Sequence, residues 1–170
     1  MTNILCAACI SAASAICDLR TGKIPNIIIL VGSLGGLVRQ YLLSGWIGAL
    51  NAVVSGCLIL VLLFPWYRIR GIGAGDVKLL AAAALWLTPA DGILLLILTL
   101  SAAAVISVIR MIRQHELGSR FMLIRSYIND CITCRDILAY TTFEKSSSYI
   151  RMAPCVLSAC LLMLFKEVIL

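Results

Sequence analysis

Gly71-Ile72-Gly73-Ala74-Gly75-Asp76-Val77-Lys78 decides how this chain is read. An apolar run ends shortly before it and another follows at once, so a carboxylate stands between two stretches suited to lipid. An ionisable group in such surroundings is costly and marks a functional position by default. One other acid is placed comparably, Asp18, where the first apolar segment ends. The two are candidates for a single catalytic pair, provided that they share one side of a membrane.

Of the 170 residues, 62% are hydrophobic and 13% charged, and the mean hydropathy is +1.04. Soluble domains hold roughly 45–50% apolar residues, and one soluble core could not hide the surplus. The composition implies an all-α polytopic membrane protein forming a single membrane domain over residues 1–170. A net charge of +6 would point to nucleic acid in a soluble protein. Here it reads as basic loops facing anionic lipid, with no nucleic-acid partner expected.

Six transmembrane helices are expected. Ile4–Cys17 is the first, short against the ~20 residues of a full crossing. No basic region precedes it and more apolar segments follow, which argues against a signal peptide. Asp18-Leu19-Arg20 stops it, and Thr21–Asn26 is a polar turn around Pro25. Ile27–Leu43 and Ala49–Trp66 are the second and third spans, joined by a turn at Ser44–Gly48. Gly32, Gly35 and Gly36 would let neighbouring helices approach closely. Val77–Leu87 has about half the length of a span, so Asp76 starts below the lipid surface or the bilayer thins there. Ile93–Ile109 is the fifth span. Ile150–Phe165, with Lys166 after it (150–166), is the sixth.

Residues 111–149 are polar by comparison. Leu117, Phe121, Ile124, Ile128, Cys131 or Ile132, and Leu138 recur there at helical spacing, opposite Arg120, Arg125, Asn129 and Asp136. That pattern suggests a cytosolic amphipathic insert lying on the lipid surface.

Charge orients the spans. Arg20, Lys23, Arg68, Arg70, Lys78, Arg110 and Arg113, with the basic residues from Arg120 to Arg151, all fall on the side where spans one, three and five end. Only Arg39 and Lys166 fall on the other. The positive-inside rule then places both termini outside and the basic loops, with Asp18 and Asp76, at the cytosolic face. Tyr41, Trp46 and Trp86 are expected at the outer interface, and Trp66, Tyr67 and Tyr149 at the inner one.

Elimination narrows the chemistry. A single histidine, His115, excludes a zinc protease with two His ligands, and no glycine-framed serine lies near it. Gly71–Gly75 lacks the Gly-Lys-Ser/Thr ending of a phosphate-binding loop. Cys6-x-x-Cys9 and Cys131-x-x-Cys134 have metal-ligand spacing, but the topology puts them on opposite faces. The six cysteines in apolar runs read as small hydrophobes. No metal and no cofactor are called for.

Two carboxylates remain. At close range both cannot ionise, so they share one proton. One then takes a proton from water while the other protonates the peptide carbonyl or leaving amine. Asp76 opens a helix and Asp18 closes one, so the dipoles suit Asp76 as base and Asp18 as acid. Gly73 and Gly75 would allow backbone angles forbidden to other residues and close approach of substrate backbone. Read alone, Asp76 could equally be the N-cap of an ordinary helix.

Gly73-Ala74-Gly75-Asp76-Val77-Lys78-Leu79-Leu80-Ala81 resembles the GxGD motif of the type IV prepilin leader peptidases. Asp18-Leu19-Arg20-Thr21-Gly22-Lys23-Ile24-Pro25-Asn26 resembles that family's other motif, an acid followed by Ile-Pro-Asn. Presenilin-like proteases share GxGD but resemble a Tyr-Asp pattern at the first acid, where this chain has Cys17-Asp18. The resemblance implies a peptidase core over residues 4–112 in a bacterial cytoplasmic membrane, with no cofactor. It implies aspartic endopeptidase activity that cuts the basic leader from prepilin-like and pseudopilin substrates at the cytosolic face. It makes Asp18 and Asp76 the catalytic acids, with Gly73, Gly75 and Lys78 framing the second and Pro25 and Asn26 the first. Larger members carry a methyltransferase domain between the first two spans. Only Leu19–Asn26 lies there in this chain, a short form. The rival readings are a GxGD protease of other substrates and a non-catalytic transporter or assembly protein using the acids for ion coupling.

Overall fold

A computed structural model describes residues 2–22, 24–69, 71–113 and 152–169. All regular structure among them is helical: α1 (Thr2–Thr21), α2 (Asn26–Arg68), α3 (Ala74–Ala84), α4 (Pro89–Arg113) and α5 (Ala153–Ile169). Three stretches are long and apolar enough to cross a membrane, namely α1, α2 and residues 89–110 of α4. α3 and α5 have 11 and 17 residues, about 16 and 26 Å at 1.5 Å per residue, against a hydrocarbon layer of ~30 Å. The amphipathic insert expected over 111–149 lies outside the described residues, except that α4 runs on to Arg113.

α1 buries Ile4, Ala7, Ala8, Ser11, Ser14, Ala15 and Asp18, a spacing of three and four that defines one face. Most of these residues are small, which lets a neighbouring backbone come close. α5 answers with Ala153, Cys155, Val156, Ala159, Cys160 and Met163, and the two helices pack together. α1 is longer than the expected Ile4–Cys17, because Leu19 and Arg20 are good helix formers. What stops it is Gly22, at φ 66°, whose N–H donates to the Asp18 carbonyl at 2.9 Å. This is a left-handed C-terminal cap. Asp18 therefore sits inside the last turn.

α2 has 43 residues, about 65 Å if straight, twice what a bilayer requires. Gly45 interrupts it with φ 60° and ψ −145°, a region populated almost only by glycine. The chain reverses there. Gly36 and Gly56 would be about 30 Å apart along an unbroken helix. Yet a Cβ at either would lie close to Leu85, at 3.1 and 2.9 Å. Residues 26–44 and 46–68 are thus the two arms of a hairpin, and the expected turn over Ser44–Gly48 shrinks to one residue. Gly48 is enclosed by that reversal, since a Cβ there would run into the Gln40 carbonyl oxygen.

The glycines expected to allow close approach do so, and Trp86 is one of the groups that arrives. Its indole lies 3.0 Å from where Cβ atoms of Gly35 and Gly36 would be, while Gly32 faces Ile10 of α1. The Trp86 Nε1–H donates to the Gly32 carbonyl at 2.9 Å, and Gln40 Nε2 donates to the Trp86 carbonyl at 3.2 Å. Trp86 is accordingly a half-buried clamp. Tyr41 and Trp46 are exposed and meet edge to face, with centroids 5.5 Å apart.

Both ends of the bundle can be traced. At one, Arg39 donates from Nε to Asn3 Oδ1 at 2.8 Å and from Nη2 to Thr2 Oγ1 at 2.6 Å. A shallow cavity lined by Ile4, Asp91, Met163 and Lys166 shows that α1 starts, α4 starts and α5 finishes at that end. α1 finishes and α3 and α5 start at the opposite end. Asp18 and Asp76 are there.

Candidate active site

α3 opens at Gly73, the N-cap, with φ −69° and ψ 145°. The N–H groups of Asp76 and Val77 both donate to the Gly73 carbonyl, at 3.1 and 3.2 Å. Asp76 is therefore in the first turn of the helix and is not its N-cap. Beyond it Val77, Leu79, Leu80 and Ala81–Ala84 are all buried. A helix buried on nearly every side belongs to the interior, and α1, α2, α4 and α5 all touch α3. Its small and aliphatic sequence thus carries Asp76 into the bundle.

Asp18 and Asp76 are each only 6% exposed, on helices that are in contact. The segment after α1 closes over the start of α3, with Ile24 side-chain atoms 3.7–3.9 Å from where a Gly75 Cβ would be. From α5, the Cys155 thiol lies within electrostatic reach of the Asp76 carboxylate. Asp18 is in the last turn of its helix and Asp76 in the first turn of its own, so opposite dipole ends face the two carboxyl groups.

Other residues expected at the site are placed less closely. Lys78 is exposed, two residues on from Asp76 and so about 200° round the helix. Pro25 is the N-cap of α2, with φ −63° and ψ 129°, and both it and Asn26 are exposed. Gly73 is half-buried in an extended conformation and Gly75 is helical, so neither uses a backbone angle denied to other residues. The positive-φ glycines among the described residues are Gly22 and Gly45. A Gly75 Cβ would make ordinary contact with Ile24, and Ala is the better helix former by roughly 1 kcal/mol. Gly75→Ala is expected to melt in detergent at or slightly above the wild-type temperature. A lower melting temperature would show that this glycine is required for folding. With the fold preserved, any lost activity would report substrate approach.

Two residues near the acids were given no role at the site in the sequence, Cys155 and Ser14. Ser14 Oγ and Asp18 Oδ2 are buried and have no hydrogen-bond partner among the described residues. The available signal was the spacing of Ser11, Ser14 and Asp18, which sets three polar groups along one stripe of an apolar helix. Among the described residues no cluster of His, Cys, Asp and Glu could hold a metal ion, and no disulfide links the cysteines.

Fold and site together define a helical membrane protein with two buried carboxylates near one end of its bundle. The chain belongs to the type IV leader peptidase family, whose sequence model matches residues 4–108. The match runs from α1 through most of α4 and contains both acids. No curated protein and no solved structure matches the chain.

Proposed function

We propose that this peptidase-family protein is an aspartic endopeptidase, with Asp18 and Asp76 as its catalytic pair. It would remove the basic leader of prepilin-like or pseudopilin proteins at the cytosolic face of the bacterial inner membrane. The observation that carries the reading is the burial of both acids on contacting helices, inside the stretch matched by the family. Two carboxylates sharing one proton can activate water and protonate the leaving amine in turn. Asp76 suits the base, since the positive end of α3 faces it, and Asp18 the acid. A catalytic pair exchanges these roles within one cycle, so neither is a fixed state.

The topology proposed with it is six crossings, with α2 supplying two and both termini outside. The basic residues then lie along the cytosolic leaflet, where anionic lipid holds them. A basic leader gains nothing from that basic surface, so selection would rest on the hydrophobic part of the substrate or on the few acids Glu116, Asp130, Asp136 and Glu144.

The test is intact mass. A prepilin-like protein co-expressed with this chain should lose the mass of its leader, and an unchanged mass would sink the proposal. Cleavage of a leaderless transmembrane peptide at a similar rate would favour a broader intramembrane protease. Cleavage that depends on the leader favours a prepilin peptidase.

A further inference from the structure

We infer that Ser14 is a positioning residue for Asp18, the Ser14 hydroxyl and Asp18 Oδ2 holding one buried water molecule between them. The inference rests on Asp18 being one of the catalytic acids. Ser14 is 0% exposed, and its Oγ and Asp18 Oδ2 are the two buried side-chain polar atoms without a hydrogen-bond partner among the described residues. They are one helical turn apart on the inward face of α1.

Ser14 departs from the habit of its neighbours. Ser11, Ser33 and Thr99 each donate to the carbonyl four residues back at 2.8 Å, and Thr21 does so at 2.9 Å. Ser11 also meets Cys160 Sγ of α5 at 3.7 Å. The Ser14 hydroxyl makes neither kind of bond. A buried hydroxyl and a buried carboxylate oxygen are seldom left dry in folded proteins, and ordered water fills such places when two or more polar groups converge.

Helix geometry makes them converge. Residues four apart have Cβ atoms about 5–6 Å from each other. Helical side chains lean toward the N-terminus, so the Asp18 carboxyl reaches back over the turn that carries Ser14. The two atoms are not bonded to each other. One water would satisfy both atoms, donating to Oδ2 and exchanging a hydrogen bond with the Ser14 hydroxyl. It would fix the carboxyl plane of Asp18 and leave Oδ1 for the reacting water.

Ser14→Ala fits wherever serine does and removes only the hydroxyl. In the full-length protein with a prepilin substrate, it should lower kcat about tenfold, the scale of one lost hydrogen bond. KM and melting temperature should be unchanged, and Ser14→Thr should recover most of the rate. Wild-type kcat in Ser14→Ala, or a loss confined to KM or to stability, would overturn the inference. Asp18→Asn measured alongside separates the two levels. If it still cleaves, the catalytic pair is wrong; if it is dead while Ser14→Ala is fully active, only the water site is wrong.

Discussion

Asp18→Asn and Asp76→Asn are each expected to reduce leader cleavage by at least about a hundredfold, the lower range of what a positioned acid or base contributes. Asparagine keeps the volume and planarity of the side chain but can neither take nor release the proton that the pair must share. Both sites are 6% exposed, and burying a neutral amide costs less than burying an ionised carboxylate. The variants should therefore insert and fold, with detergent melting temperatures at or above wild type. The double variant should be no worse than either single one, because residues acting as a unit are not additive. Intact mass of a co-expressed prepilin gives the activity. Full processing by either variant, in membranes where the protein is present, would remove that acid from the chemistry.

The second large effect falls far from the acids. Gly48→Ala is expected to destabilise the α2 hairpin by about 1–3 kcal/mol, the usual cost of forcing extra volume into a filled space. Its Cβ would meet the Gln40 carbonyl oxygen and would lie 2.8 Å from Ser44 Cβ. Neither is the end of a flexible side chain, so relief requires moving the reversal itself. Gly32→Ala is the control. The nearest atoms to its Cβ would belong to the Ile10 side chain, with Cγ2 at 3.0 Å and Cδ1 at 3.2 Å, and a rotamer change can absorb that. Thermal unfolding in detergent should rank the two clearly. A Gly48→Ala protein that melts at the wild-type temperature would show that the reversal can be built another way.

Where charge interrupts apolar sequence, the fold was legible. Asp18 and Asp76 stand out because nothing else in their surroundings could hide a carboxylate, and both were found buried near one end of the bundle. Helical class followed from hydrophobicity, and Gly32, Gly35 and Gly36 as contact points followed from their size. Contacts decided by tertiary structure were not legible. Trp86 has the composition of an interfacial residue, and only the groove of Gly32, Gly35 and Gly36 makes it a clamp. α3 begins at Ala74, earlier than its apolar run, because Gly73 supplies the cap geometry ahead of the acid. The glycines of the GxGD stretch were read for unusual backbone angles, but the angles belong to Gly22 and Gly45. Pattern shows that a turn is needed; it does not show which residue takes the strain.

The Trp86 clamp also bears on biogenesis. Chains are made from the N-terminus at about 5–20 residues per second. Both arms of α2 emerge before Trp86, which grips the first arm, and Leu85, which meets both at Gly36 and Gly56, have been translated. Until then Gly35, Gly36 and Gly56 have no partner from the α3–α4 junction, and the hairpin can be held only by its own reversal. Final docking of α2 must therefore wait for Leu85 and Trp86, which emerge directly after the helix bearing Asp76. A ribosome stalled before that point would leave a hairpin threaded through the membrane and still unclasped.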